Sequence, residues 1–356
     1  MTDIDSYPDV HVEEKKKQVS NSRGLLNNIL LIGAFDTLET DPMFFEKLDE
    51  AQETLGTDST YNGCKVLPIL FTGGTLLAVN ITTESGGTRD KTLTTNKLSN
   101  ALSKVKGEDF DSVFIADTLA DEAIVILDAF LDEMEEIKFP AGYINGVNRA
   151  NVDAYITTAS KAGDHCYGLL TQSLEVKGES YDLLESAAYY ASVINNMHPG
   201  NSMTMKQVPG VTGVSPELTF EFNKTTGAAI TDGAKLLAAG LTLIKAQNRR
   251  SDKFVVVNSA QPNGLDLYIN RVRDYVIKEM ALHQFLGDRN RKPTHDEVIQ
   301  ELDRVKYQCI DTMDLLKDII YSVEKENSKT VGITITSMQF DDIITRMNVY
   351  YTIEVV

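Results

Sequence analysis

Short apolar runs alternate with amphipathic stretches over the first 260 residues of the chain. The first run, residues 29–35, reads Ile-Leu-Leu-Ile-Gly-Ala-Phe without a polar interruption, as expected for a strand that is covered on both faces. Comparable runs recur at 66–71, 112–116, 141–144, 166–171 and 254–258. Each of these runs predicts a buried strand.

Helical spacing separates the predicted strands. In residues 121–137 the apolar side chains of Ile124, Leu127 and Leu131 recur at intervals of three and four, and acids fill the opposite face. Residues 181–196 and 232–247 show the same spacing. Buried strands that alternate with amphipathic helices predict an α/β fold, in which helices flank a mixed, largely parallel sheet.

Two longer helices are predicted after the α/β region. The first, residues 266–286, has one apolar face, and Gly287 is placed to end it. The second opens with a capping box at Thr294. Its apolar face extends from Val298 to Ile320, which predicts a helix of about six turns.

Alternation with a period of two marks three segments near the ends of the sequence. Residues 9–13 place Val10 and Val12 on one face, and residues 331–336 alternate in the same way. In residues 347–356 one face carries Met347, Val349, Tyr351, Ile353 and Val355. A strand with two valines buries little surface by itself, and a strand at a chain end frays unless it is held. We therefore expect both end strands to join a sheet, either in the same subunit or in a neighbouring copy.

The charge balance of the chain argues against nucleic acid as a partner. The sequence has 52 acidic and 34 basic residues, a net charge of −18, whereas binding to nucleic acid requires a basic patch. The short basic runs at 15–17, 249–250 and 289–292 are interpreted as solvated surface or as contacts with acidic patches on other copies. Because the sequence has no basic patch of that kind, we expect no nucleic-acid partner. No signal peptide and no apolar run of membrane-spanning length is recognised, so we also expect no membrane insertion.

Candidate chemistry is sparse. The pairs Gly73–Gly74 and Gly86–Gly87 lie outside any phosphate-loop motif, and the three cysteines have no zinc-ligand spacing. His165 and Cys166 could form a base and a nucleophile, but adjacent residues of a strand point to opposite faces. We therefore expect no catalytic, cofactor or metal site. An α/β hydrolase or nucleotide binder with an unrecognised site is the alternative.

An ordered series of motifs resembles one protein family. Residues 7–14 read Tyr-Pro-Asp-Val-His-Val-Glu-Glu and resemble the Tyr-Pro-Gly-Val-Tyr-Val-Glu-Glu opening of contractile tail sheath subunits. Asp9 replaces the glycine of that motif and His11 replaces an aromatic residue. Further segments follow in the order of the family: 30–34, 181–191, 208–214, 231–234, 254–258 and 270–275. The resemblance spans most of the chain.

This resemblance implies a structural, non-enzymatic subunit that polymerises helically around a tail tube and contracts to drive the tube through a host envelope. Arms at both ends would add strands to the sheets of neighbouring copies. The implied anchors are Val10, Val12, Val349, Tyr351, Ile353 and Val355. Expected partners are further copies, the tail tube protein, and baseplate and tail terminator proteins. The expected location is the virion tail, after assembly in the host cytoplasm.

The same interpretation divides the chain into four parts. It predicts an N-terminal arm at 1–23, an α/β core at 24–265 with a small insertion near 82–106, a C-terminal helical and β part at 266–345, and an arm strand at 346–356. The competing hypothesis for the ends is that both strands complete the sheet of their own subunit. A tail tube or another virion component is disfavoured, because the strong helices after Asp121 do not suit a mostly β protein.

Overall fold

The computed structural model describes residues 27–137, 139–248, 252–281, 295–325 and 331–340. Both predicted arms lie outside these ranges, as do Gly287 and Thr294. The division of the chain at residues 23, 265 and 345 stays a prediction.

The described residues form fifteen strands and nine α-helices. The strands are β1 Asn28–Gly33, β2 Met43–Phe45, β3 Thr75–Asn80, β4 Thr83–Ser85, β5 Thr88–Asp90, β6 Ser112–Ile115, β7 Gly142–Gly146, β8 Cys166–Leu170, β9 Ser173–Val176, β10 Glu179–Ser180, β11 Val211–Ser215, β12 Ile244–Ala246, β13 Phe254–Val256, β14 Asp318–Lys325 and β15 Val331–Gln339. The helices are α1 Leu48–Leu55, α2 Asn62–Leu70, α3 Thr95–Lys104, α4 Asp121–Glu136, α5 Val152–Ala159, α6 Leu183–Asn195, α7 Asp232–Ala238, α8 Leu267–Met280 and α9 His295–Tyr307.

A six-stranded sheet forms the centre of the molecule, in the order β2-β3-β1-β6-β7-β8. Five of its strands run parallel, and only the edge strand β2 pairs in the antiparallel sense. The apolar run of β1 occupies the middle, and Leu30, Leu31 and Ile32 have no exposed surface. This sheet and its flanking helices confirm the predicted α/β class with a mixed sheet.

Residues 66–71 form a helix rather than the predicted strand. Residues 66–70 belong to α2, with Pro68 inside the helix, and Phe71 caps its C-terminal end. The buried side chains of α2 include Val66, Leu67 and Leu70. A short apolar run has the same composition in a buried helix as in a buried strand, so the run alone does not distinguish them. On one side β1 pairs with β6, from the predicted run 112–116, and on the other with β3, which the apolar-run criterion missed.

Two predicted helices are shorter than expected. The helix predicted at 232–247 ends at Ala238, Gly240 has a φ of +79°, and the chain then forms β12, which pairs with β13. The long helix predicted to reach Ile320 ends as α9 at Tyr307 and continues only through a π-helical turn, Gln308–Thr312. Asp314 then adopts a φ of +51°, which is incompatible with helix, and the following residues form β14.

The polar stretch 82–106 contains the hairpin β4–β5 and the helix α3. Leu98, Ala101 and Leu102 of α3 are buried in the main core. A second hydrophobic cluster is formed by α8, α9 and the start of β14, with Val272, Leu302 and Ile319 at its centre. This second cluster supports the C-terminal hairpin.

Candidate assembly interface

The six anchor side chains implied by the sequence, Val10, Val12, Val349, Tyr351, Ile353 and Val355, all lie outside the described residues. The structure does describe a surface that could receive such strands. It is the hairpin of β14 and β15, the last elements of the described chain.

The hairpin has two faces of different character. Cross-strand neighbours Tyr321 and Ile335, and Val323 and Ile333, are half-buried and pack against the second hydrophobic cluster. Between these positions the side chains of Ser322 and Thr334 are exposed. A register shift next to Ile320 and Tyr321 marks a bulge, which bends and twists a strand pair. The alternation therefore gives the hairpin one apolar face against the body and one polar face towards solvent.

Polar contacts fix the base of the hairpin to α9. The ammonium group of Lys306 lies 2.6 Å from a carboxylate oxygen of Asp318 and donates a hydrogen bond of 2.7 Å to the carbonyl oxygen of Ile319. Further along β14, the phenol of Tyr321 donates to Asp303. The ring of Phe340, which follows β15, meets the edge of the Tyr268 ring on α8 at a centroid distance of 6.1 Å. The hairpin is thus held in one orientation on the body.

The hairpin pairs with no third strand, so both of its outer edges are open within the described chain. Within the part of the chain that the structure describes, β15 pairs with β14 and with no other strand. An edge strand of nine residues presents backbone donors and acceptors to any extended segment of matching length. Isolated two-stranded hairpins are marginally stable, so a third strand would stabilise this one.

The ligand-binding edge of a parallel sheet offers the main alternative site. In such sheets ligands bind beyond the carboxyl ends of the strands, where neighbouring connections leave in opposite directions. In this sheet β1 pairs with β3 on one side and with β6 on the other. The position where a ligand would be expected therefore lies between β1 and β6. The amide of Gly63 on α2 donates to the carbonyl oxygen of Ala34 over 2.8 Å. A Cβ added at Gly33 would lie 3.2 Å from Gly63 Cα and 2.6 Å from Ala116 Cβ, so protein atoms fill this position.

Buried amide side chains tie down the loops at the same edge of the sheet. Each of the three accepts hydrogen bonds from backbone N–H groups and donates hydrogen bonds to backbone carbonyl oxygens of other segments, at 2.7–3.1 Å. The contacts are from Asn80 to Phe35 and Thr37, from Asn145 to Ile115 and Asp117, and from Gln172 to Ile244 and Pro216. Side-chain hydrogen bonds therefore connect the segments at this edge of the sheet. These contacts could not be predicted from residue spacing in the sequence.

The ring nitrogens of His165 contact groups other than the Cys166 thiol. The imidazole of His165 contacts the carbonyl oxygen of Ala141 and, at 3.0 Å, a carboxylate oxygen of Asp132. Burial raises the pKa of the Cys166 thiol to about 12, so the thiolate nucleophile is disfavoured. Among the described residues no group of three His, Cys, Asp or Glu side chains could hold a metal ion. None of the helices in the described ranges is both long and apolar enough to cross a membrane.

No protein-family model matches the chain, and no curated protein matches its sequence. Solved structures do match. A sheath tail protein from Desulfitobacterium hafniense is 11% identical with a TM-score of 0.62, covering 85% of this chain and 90% of that one. A sheath tail protein from Listeria innocua is 10% identical with a TM-score of 0.59, covering 89% and 96%. The helical sheath of the anti-feeding prophage in its contracted state is 14% identical with a TM-score of 0.63, covering 99% of each chain.

The chain has the contractile-sheath fold. The sequence resemblance is confirmed at that level, and at 10–14% identity the likeness is one of fold. Because the match to the prophage sheath covers nearly the whole of both chains, the sheath fold includes the C-terminal hairpin as well as the α/β core. Sequence reasoning missed β14. The available signal was the alternation of Tyr321 and Val323 with the more polar Ser322 and Glu324.

Proposed function

We propose that this chain is the repeating, non-enzymatic subunit of a contractile sheath, which polymerises helically around a tail tube and contracts to drive the tube through an envelope. The single observation that carries the proposal is the likeness to the anti-feeding prophage sheath over 99% of each chain. Protein atoms fill the position between β1 and β6, where parallel sheets usually bind ligands, and this favours the structural role over the enzyme alternative.

The open edge of β15 is the proposed receiver of a neighbouring arm. Strand addition satisfies backbone groups along the whole joint and places alternate side chains on the two faces. In the C-terminal arm, Val349, Tyr351, Ile353 and Val355 would continue the apolar face formed by Ile333 and Ile335. Val10 and Val12 would do the same from the N-terminal arm. Such joints transmit force while rigid bodies rotate about them, as contraction requires.

The proposed partners follow from this role. They are further copies of the chain, the tail tube protein, and baseplate and tail terminator proteins, with the virion tail as the location and the host cytoplasm as the place of assembly. A structure of the anti-feeding prophage baseplate also contains a chain with this fold, at 14% identity and a TM-score of 0.63. The energy of contraction would reside in the interfaces between subunits and not in a bound nucleotide.

Negative-stain electron microscopy tests the proposal. We expect tubes or stacked rings from the full-length chain and only monomers from a version that ends at Thr345. A matched pair of single substitutions separates the two faces of the arm: Ile353→Asp should abolish assembly, whereas Thr352→Asp, on the opposite face, should preserve it. If the truncated chain assembled as well as the full one, the C-terminal arm would not be the joint. If neither assembled in the presence of a tube, the sheath function itself would be wrong.

A further inference from the structure

Helix α8 lies between the α/β core and the second hydrophobic cluster and presents a different face to each. Its apolar face belongs to that cluster and consists of Tyr268, Val272, Tyr275, Val276 and Met280. Its other face is polar, with the three- and four-residue spacing of one helix side, and carries Asn270, Arg271, Asp274 and Lys278. Leu267, in the first turn, is the one residue of α8 that belongs to the main core.

Polar side chains make the main contacts between α8 and the α/β core. The ammonium group of Lys278 lies 2.5 Å from a carboxylate oxygen of Asp109 and 2.7 Å from one of Asp111, directly before β6. The phenol of Tyr167 on β8 donates a hydrogen bond of 2.5 Å to Asp274. The two parts of the molecule are therefore joined here by ion pairs and hydrogen bonds.

Such an interface opens at a lower cost than an apolar one of the same size. The side chains of Arg271, Asp274 and Asp111 are buried, and the penalty for removing charges from water is recovered when they are hydrated again. The buried Nδ2 of Asn270 has no hydrogen-bond partner within the described chain, so closing the interface leaves one donor unsatisfied. Parts of a chain that meet through a polar interface are expected to move relative to one another.

The N-terminal end of α8 has a separate anchor. One carboxylate oxygen of Asp266, the N-cap residue, accepts hydrogen bonds of 2.6–3.2 Å from the hydroxyls of Ser202, Thr204 and Ser259. The chain also passes from the core into α8 at this end. Lys278 lies about 18 Å further along the helix axis, at 1.5 Å per residue. A rotation about the anchored end would therefore move Lys278 most.

We propose that the C-terminal unit, the described residues 266–281, 295–325 and 331–340, rotates as one body about the N-terminal end of α8 when the contacts of Asp274 and Lys278 with the core separate. The two hydrophobic clusters share no residue, so both stay packed during this motion. The hairpin β14–β15 is fixed to α9 and moves with the unit. The motion belongs to the single subunit and goes beyond the proposed function: it turns the open edges of the hairpin relative to the core.

Fluorescence quenching by tryptophan measures the opening, because the sequence contains no native tryptophan. Since Lys278 contacts Asp109, the neighbouring positions Glu108 and Glu279 lie close together when the unit is docked. A bimane group attached to the cysteine of a Glu279→Cys variant should therefore be quenched by the tryptophan of Glu108→Trp. The three native cysteines are buried and should not take up the label. The unquenched fraction reports the open state.

Substitutions in the contact should shift this fraction. In the labelled full-length chain, diluted to a monomer, Lys278→Glu places a third carboxylate beside Asp109 and Asp111 and should raise the unquenched fraction about tenfold. Lys278→Arg keeps the ion pair and should leave the fraction unchanged. Lys47→Glu, the same change of charge at an exposed position of the core, should also leave it unchanged. An equal fraction in the Lys278→Glu and Lys47→Glu variants would overturn the proposal.

Hydrogen exchange distinguishes rotation from unfolding of the unit. Protection in β1, β14 and β15 should be the same with and without Lys278→Glu, and a loss confined to β14 and β15 would contradict rotation as one body. If protection in β1 fell, Tyr167→Phe would decide, since it removes the bond to Asp274 and leaves Asp111 untouched. This variant should raise the unquenched fraction about fivefold, and no rise would overturn the proposal. All of these measurements use the monomer, so their failure is distinguishable from failure of the sheath function.

Discussion

The phenol of Tyr321, on the first strand of the C-terminal hairpin, donates a hydrogen bond of 2.6 Å to a carboxylate oxygen of Asp303 on α9. Burial, and then the neighbouring carboxylate, raise the pKa of Tyr321 to about 12, so the phenol keeps its proton throughout the physiological range. This bond joins the proposed receiving surface to the helix that supports it. Its loss would free the hairpin without changing the strand that receives the arm.

Tyr321→Phe is therefore expected to loosen the hairpin while preserving its apolar face. A hydrogen bond to a charged group contributes about 2 kcal/mol, so exchange protection in β14 and β15 should fall while that in the central sheet stays unchanged. Assembly into tubes should require a higher protein concentration. Tyr307→Phe, at an exposed position of α9, is the control and should change neither readout. Unchanged protection in the Tyr321 variant would show that apolar packing alone holds the hairpin.

Gly63→Ala should destabilise the whole fold. A Cβ at Gly63 would lie 2.6 Å from the carbonyl oxygen of Ala34 and 2.6 Å from the Phe35 ring, both in the core. Overpacking of this kind costs about 1–3 kcal/mol, and here the clash is partly with backbone, which yields least. The midpoint of chemical denaturation should fall accordingly.

The neighbouring exposed residue provides the control for that prediction. Asn62→Ala adds no atom to the core and should shift the denaturation midpoint little. If the Gly63→Ala variant were as stable as the Asn62→Ala variant, the space between β1 and β6 would accommodate an additional methyl group. The argument against a ligand site there would then fail.

Arg271→Lys should be strongly destabilising, although the substitution keeps the positive charge. The guanidinium is fully buried and donates to the carbonyl oxygens of Met197, at 2.8 Å, and His198, at 3.4 Å, and burial lowers its pKa to about 10. Lysine lacks the planar fork that reaches both carbonyls, so we expect a loss of about 3 kcal/mol in the free energy of unfolding. Arg304→Lys, at an exposed position of α9, should cost under about 0.5 kcal/mol. Equal effects of the two substitutions would contradict a structural role for the buried fork.

Strands β1, β6, β7 and β8 of the main sheet could be predicted, because each is a short apolar run in the sequence. The same criterion missed β3 and took the helical residues 66–70 for a strand. Helix α4 was equally clear from its spacing of three and four, and its observed bounds agree with the prediction within one residue.

Strand β15 of the hairpin was predicted from the alternation at 331–336, but β14 was not, because two periodicities overlap in its residues. Leu316 and Ile320 continue the helical spacing that begins at Val298, while Ile319, Tyr321 and Val323 alternate as a strand does. In the structure the helix ends through the π-helical turn Gln308–Thr312 and the φ of +51° at Asp314, and the chain then forms a strand. The spacing of apolar residues does not reveal either feature.

A buried acid on α4, Asp128, makes stability depend on pH. One Asp128 oxygen accepts hydrogen bonds from the Gly163 amide, at 2.8 Å, and from the Tyr143 phenol, at 3.3 Å, and the other has no partner. Burial raises the pKa of Asp128 to about 6. The hydrogen bonds from Gly163 and Tyr143 act in the opposite direction and lower this pKa, but their effect is smaller. The folded protein therefore binds this proton more tightly than the unfolded chain, whose carboxyl titrates near 4. The stabilising contribution is complete below pH 4 and is lost as the pH rises through 6.

Asp128→Asn should therefore stabilise the protein at neutral pH, because the amide keeps the acceptor for Gly163 without a buried charge. At pH 7.5 we expect a gain of about 2 kcal/mol in the free energy of unfolding, which disappears below pH 4. The measurement is chemical denaturation at a series of pH values, with Glu136→Gln at the exposed end of the same helix as the control. A gain of equal size at pH 4 and pH 7.5 would mean that the substitution acts through packing, and a loss at neutral pH would mean that the ionised carboxylate is itself a structural element of the fold.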